Sequence, residues 1–211
     1  MTVLRWFVLL TSLLLSAAVP LQTEAQDSAT EVPTGSLVSA VSRQFNAAGM
    51  SLIGPVSIGT MVYLYDSPEN AATAFPKIVD YFLHQLDEQG GLKAASARHI
   101  GDERKAYGGE TTMGEQKGQA GLFAWREDNR VYLMIDGGLS GEMLTPLFDL
   151  AGSLTGRDLP DSDPVIPDSP DEMSSGGAYA LLPGLDDMPP GFVFGADTDM
   201  LAQDDSGTPA P

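Results

Sequence analysis

Residues 120–135 read AGLFAWREDNRVYLMI, and this stretch decides the fold. Ala120–Arg126 is apolar and aromatic, Glu127-Asp128-Asn129 is polar, and Arg130–Ile135 resumes the apolar run. Two such runs on either side of a short Asp/Asn turn predict a β-hairpin. Successive strand side chains point to opposite faces. Val131, Leu133 and Ile135 therefore share one face, and Tyr132 and Met134 the other. With the first set in the core, Tyr132 and Met134 face outward. Antiparallel sheets can leave one face open, which makes these two the first candidates for binding an apolar ligand or a partner. Ordinary core and cross-strand pairing is the other reading, and it also covers Tyr63, Tyr65, Phe123 and Trp125.

Upstream of the hairpin, Val56–Tyr65 (VSIGTMVYLY) is β-branched and aromatic and predicts a strand. A helix start follows: Ser67 can cap, Pro68 suits the first helical position, and Glu69 favours the positive helix end. Ala71, Ala72, Phe75, Ile78, Val79, Phe82, Leu83 and Leu86 form one stripe. Gly90-Gly91 should stop this helix, and Pro76 should kink or split it. Further upstream, Leu37, Val38, Val41, Phe45 and Ala48 fall at helical spacing and predict a short helix over 36–48. Leu92–Ile100 and Arg104–Tyr107 are weak strands about a Gly101-Asp102-Glu103 turn, and Glu110–Lys117 is a polar loop. Past the hairpin, Ser140 or Thr145 opens a last helix bearing Leu144, Leu147, Phe148, Ala151 and Leu154, with Gly156 beyond its end. This order argues for an α+β fold, one mostly antiparallel sheet with helices packed on one face, over residues 36–157.

The two ends carry different signals. Arg5 precedes Trp6–Val19, which is apolar apart from Thr11, Ser12 and Ser16. That run is shorter than the roughly 20 residues a membrane span needs, and it fits a secretory signal peptide. With small residues at Thr23 and Ala25, cleavage is expected after Ala25, the mature chain is expected to be secreted or extracytoplasmic without a membrane span, and 26–35 reads as a flexible lead-in. The chain has no cysteine, which removes disulfides, thiol nucleophiles and lipidated cysteine together. Twelve of the 29 acidic residues and none of the eleven lysines and arginines lie from Asp158 onward, so that segment carries −12 of the net −18. Such a balance disfavours nucleic acid and anionic membrane surfaces. Residues 158–177, rich in Pro, Asp and Ser, read as a disordered linker. Residues 178–194 read as a short apolar docking segment or the remnant of a second unit, with Leu181, Leu182, Phe192 and Phe194 as its contact residues. Residues 195–211 complete a disordered acidic tail.

The runs YLYDSPENAATAF (63–75), IGDERKAY (100–107) and FAWREDNRVYLMI (123–135), with LLPGLDDMPPGF (181–192), resemble a loose group of exported bacterial domains of unassigned function. The resemblance implies an α+β fold and export. It implies no activity and carries over no functional residue.

Sites of chemistry are sparse. His84 and His99 are isolated and lack the spacing of zinc ligands. Gly138-Leu139-Ser140-Gly141-Glu142 lacks the last glycine of a nucleophile elbow and reads as a helix start. Asp102, Glu103, Glu110, Glu115, Glu127 and Asp128 fall in turns and loops, where a glycosidase-like pair would need fixed separation in a cleft. Asp161, Asp163, Asp168, Asp171 and Glu172 suggest calcium, yet Val165 and Ile166 occupy the positions of a third ligand and a glycine. No dinucleotide or phosphate loop occurs. No cofactor and no metal is expected. The expected function is a non-enzymatic binding or interaction domain of the cell envelope or medium, its partner an envelope or extracellular protein or an apolar small molecule. A small-molecule or lipid carrier with an apolar pocket between helix and sheet is the alternative, and an unrecognised extracellular hydrolase the third reading.

Overall fold

In the computed structural model, residues 36–49, 54–87, 91–113 and 116–202 are described. The expected signal peptide, the lead-in at 26–35, Gly90, Glu115 and the tail beyond 202 lie outside them. The elements run β1 (Leu37–Ala47), β2 (Ser57–Tyr65), α1 (Pro68–Leu86), β3 (Leu92–Ala95), β4 (Glu103–Met113), β5 (Gln116–Glu127), β6 (Arg130–Gly138), α2 (Leu144–Leu154), the 3-10 turns Gly177–Leu181 and Leu185–Asp187, and β7 (Phe192–Asp199). The strands form a single sheet in the order β3-β4-β5-β6-β2-β1-β7, with every neighbouring pair antiparallel. The α+β class therefore holds.

The hairpin read from sequence is β5–β6. Glu127 pairs with Arg130 across Asp128-Asn129, and Asp128 takes the left-handed conformation (φ 52°) that a two-residue turn asks of a small polar residue. The start of α1 is also as read. Ser67 Oγ accepts from the Asn70 N–H at 3.3 Å, and Pro68 opens the helix. Pro76 does not split α1, which runs on to Leu86. Beyond it the Asp87 carboxylate accepts from the N–H groups of Gly91 (2.7 Å) and Leu92 (2.6 Å) and turns the chain into β3.

Period-two alternation along β5 and β6 separates two cores. Leu122, Ala124, Val131, Leu133 and Ile135 face α1, packed with Phe75, Ile78, Val79 and Phe82. Phe123, Trp125, Tyr132 and Met134 face the other way, packed with Leu147, Leu150 and Leu154 of α2 and with Tyr179, Leu181 and Leu182. The helices thus lie on opposite faces rather than together on one. The sheet is apolar on both faces, and each face has to be covered.

Three further expectations change. Residues 36–48 form β1 instead of a helix: Val41 and Phe45 reach the α2 core while Ala40 reaches the α1 core, and pairing with β2 on one edge and β7 on the other overrides the helical spacing. The polar loop at 110–117 belongs mostly to the long β4–β5 hairpin, in which Glu110 pairs with Gln119 and Thr112 with Lys117. The folded unit does not end at 157. Residues 158–177 are largely exposed, but Val165 and Ser175 form a β-bridge, and β7, whose residues 192–194 were expected in the docking segment and 195–199 in the disordered tail, pairs with β1 along its length. Arg43 of β1 binds this segment in place. Its guanidinium donates to both Asp197 carboxylate oxygens (2.7 Å each), to the Pro183 carbonyl (2.9 Å) and to the Ser174 carbonyl (2.6 Å). Arg157 adds a second tie, to both Asp187 oxygens at 2.9 Å and to the Leu182 carbonyl.

Candidate functional site

Tyr132 and Met134, expected to face outward, are each 1% exposed. They do lie on the face opposite Val131, Leu133 and Ile135, but α2 and the 178–188 segment cover that face. Trp125 and Tyr132 stack across the strands (4.6 Å, 3°), Phe123 stacks on Trp125, and Phe148 of α2 closes edge-on over Phe123 at 4.9 Å. Leu181 and Leu182 are buried in the same core. Phe192 packs against that core, and Phe194 meets Phe45 edge-on at 6.5 Å. The apolar segment does dock, and its dock is its own sheet.

His84, on α1, and His99, in the connection between β3 and β4, are both exposed, and no group of three metal-ligating side chains occurs among the described residues. Asp161, Asp163, Asp168, Asp171 and Glu172 are all exposed. Ser140 precedes a helix start as read, but Glu142 does the capping. Its carboxylate accepts from the N–H groups of Leu144 (2.9 Å) and Thr145 (2.8 Å). Burial would raise its pKa, and these hydrogen bonds overcome that and lower it.

One carboxyl is unlike the rest. Asp136 of β6 is fully buried, beside Gly121 of β5 and Met143 at the foot of α2. Neither of its oxygens makes a hydrogen bond of good geometry among the described residues, the backbone amide of Gly121 standing near without closing one. Desolvation pushes its pKa well above the ordinary carboxylate range, which the nearby Gly121 amide offsets only in part and the Glu142 charge reinforces. A Cβ at residue 121 would stand 2.5 Å from Asp136 Oδ1, so glycine there is what makes room for the carboxyl.

The sheet's open features lie at its margins. A cleft of about 700 Å³ lies between α1 and the first residues of β4, walled by Ala72, Phe75, Pro76, Ala94 and Ala97 and edged by Asp102, Glu103, Arg104 and Lys105. Asp102 and Glu103 both bind the Arg126 guanidinium, at 2.9 and 3.4 Å. The side chains of Arg104 and Lys105 have no hydrogen bond or ion pair among the described residues, nor do those of the exposed Lys77 and Lys93 that flank the lining residues. By strand alternation Lys105 shares a face with Tyr107, which packs on the α1 core, whereas Arg104 faces the α2 side with its cross-strand partner Trp125. A second cleft, of about 560 Å³, lies on the far side of the sheet between Val38, Leu64 and Tyr179, with Asp161, Asp163 and Asp199 as its charged lining. Nearby Asp199 and Asp197 add to burial in raising the Tyr179 pKa.

The first cleft escaped the sequence reading, which placed Arg104 and Lys105 in a weak strand. The available signal was an adjacent pair of bases, next to two acids that Arg126 would claim, on a strongly acidic chain.

No protein-family model, curated protein or solved structure matches this chain. Its class therefore rests on the fold, an α+β domain whose single antiparallel sheet is covered on both faces. No helix among the described residues is long and apolar enough to cross a membrane.

Proposed function

We propose that this chain is an exported, non-enzymatic binding domain, and that it holds a ligand carrying an anionic group beside an apolar one in the cleft between α1 and the start of β4. The observation that carries this reading is the unpaired Lys105 side chain beside an apolar wall, on a chain of net charge −18. Cations left without partners on so acidic a surface are available to a ligand, and they favour negative charge. The carrier reading asks for apolar space between helix and sheet. That interface is filled by Met61, Tyr63, Phe75, Ile78, Phe82 and Leu133. Export rests on the composition of residues 1–25.

Titration with sodium dodecanoate, followed by amide chemical shifts, tests the site. The expected result is saturable shifts at Ala94, Lys105 and Tyr107 that the Lys105→Glu variant loses and that dodecyltrimethylammonium does not reproduce. Equal responses to the anionic and cationic amphiphiles, or no response at all, would remove the cleft from consideration.

A further inference from the structure

The second cleft, of about 560 Å³, lies on the α2 side of the sheet, and strand register fixes which side chains share it. Val41 pairs with Asp199 and Ser39 with Leu64, and residues paired across strands project to the same face. Val41 belongs to the core beneath α2, as does Tyr179, so Leu64, Asp199 and Tyr179 meet on one side of the sheet. Residues 159–164 form the remaining wall and bring Asp161 and Asp163 to it. The charged lining is all of one sign, with no Lys, Arg or His among the described lining residues. Two cations stand on the same face, and both are engaged. Arg43 is bound by both Asp197 oxygens, and Arg130, the cross-strand partner of Leu64, donates to the Arg157 carbonyl at 2.6 Å. Asp199 Oδ1 accepts from the N–H groups of Leu201 (3.0 Å) and Ala202 (3.3 Å). Asp199 Oδ2 and the Asp161 and Asp163 carboxylates have no hydrogen bond or ion pair among the described residues.

Acidic side chains alone would mark only a solvated face, but Tyr179 is a separate observation. It is 3% exposed and lines the cleft, and its hydroxyl makes no hydrogen bond among the described residues. The hydroxyl feels the Asp199 and Asp197 charges, which add to burial in holding it protonated. A buried phenol left without a partner at the wall of a cleft is a polar group that a ligand can satisfy.

We infer that this cleft binds a small organic ammonium ion, a primary amine carried on an apolar body. The site is separate from the α1–β4 cleft and does not depend on it. An ammonium group offers three donors and no acceptor. It matches a lining of carboxylates with a phenol oxygen as a further acceptor. The apolar body rests on Val38, Leu64, Leu159 and Pro160. A bare metal ion would leave that wall unused, and no group of three metal-ligating side chains occurs among the described residues. The volume falls in the range of small-molecule sites, about 300–1,000 Å³.

Phenethylammonium, its neutral analogue 2-phenylethanol and calcium chloride, each titrated at matched ionic strength and followed by amide chemical shifts, test the site. Phenethylammonium should give saturable shifts at Ser39, Ala178 and Tyr179, and 2-phenylethanol should bind at least tenfold more weakly. Asp199→Asn keeps an oxygen for the Leu201 and Ala202 N–H groups and should weaken the amine fivefold or more. Tyr179→Phe keeps the packed ring, removes the hydroxyl and should weaken the amine severalfold, with urea midpoints confirming that both variants are folded. Lys105→Glu should leave amine binding unchanged, which keeps this site and the α1–β4 cleft separately readable. Equal binding of 2-phenylethanol overturns the ammonium assignment, because the apolar wall then suffices. Calcium that gives the same shifts and displaces the amine makes the cleft a metal site and overturns it too. Amine binding indifferent to both Asp199→Asn and Tyr179→Phe overturns the placement, and the absence of saturable shifts overturns the site.

Discussion

Asp136 and Arg43 show how differently this fold treats buried charge. Arg43 is 4% exposed, but each of its contacts is an acceptor with good geometry, so its charge is compensated. Asp136 has no such partner among the described residues, and burial pushes its pKa well above the ordinary carboxylate range. In the unfolded chain its carboxyl ionises near the ordinary value of 3.8. Because the folded pKa lies above that, the folded state binds the proton more tightly. The contribution to stability is complete below about pH 4, falls as pH rises toward the folded pKa, and stays lost above it. Asp136→Asn, which cannot ionise, should flatten this dependence and raise neutral-pH stability by about 1–3 kcal/mol, the scale of an uncompensated buried polar group. Urea unfolding midpoints from pH 4 to 9 read it directly, and a variant with the same slope as the parent chain would contradict a buried acid. For Arg43 the sign is opposite. Arg43→Met strands the Asp197 carboxylate and should cost about 3–5 kcal/mol, whereas pairing it with Asp197→Leu should recover most of that loss. Equal losses in the single and double variants would show that the ion pair is not what matters there.

At the scale of elements, α2 and the 178–188 segment act together as the lid on the Phe123–Trp125–Tyr132–Met134 face. Leu181 is 0% exposed in a 3-10 turn that has few hydrogen bonds of its own, so its place depends on packing. Leu181→Ala should cost about 2–5 kcal/mol, as large-to-small changes in close-packed cores do, and should speed amide exchange in β7 and residues 174–188 before it does so in β5 and β6. Uniform acceleration across the sheet would mean that the segment does not open separately. The legibility of these elements in the sequence was uneven. Ser67-Pro68-Glu69 and the Asp128-Asn129 turn are local devices, readable because their hydrogen bonds close within a few residues. β1 is not legible locally, because Leu37, Val41, Phe45 and Ala48 satisfy helical spacing, and what makes it a strand is the pair of neighbours contributed by residues 57–65 and 192–199.

For the whole molecule, the consequence is that residues 158–202 are part of the folded unit and not an appendage. A chain ending at Arg157 loses β7, the Arg43–Asp197 pair and the part of the cover over Tyr132 and Met134 that residues 178–188 supply. It should unfold at markedly lower denaturant than the parent, with a broadened transition and binding of a hydrophobic dye. A truncated chain as stable and cooperative as the parent would restore the boundary at 157.

The sequence by itself determined the hairpin at 120–135, the capped helix after Ser67, the α+β class and the acidic imbalance, since each depends on residues near one another or on composition alone. Tertiary structure decided that Tyr132 and Met134 are covered, that Leu181 and Leu182 dock on their own sheet, that the Asp136 carboxyl is buried, and that the Arg104 and Lys105 side chains are left without partners among the described residues. The reason is physical. Which face of a sheet meets water, and which charge finds a counter-charge, depend on segments up to 154 residues apart in the chain, as with Arg43 and Asp197, and no local pattern records such a meeting.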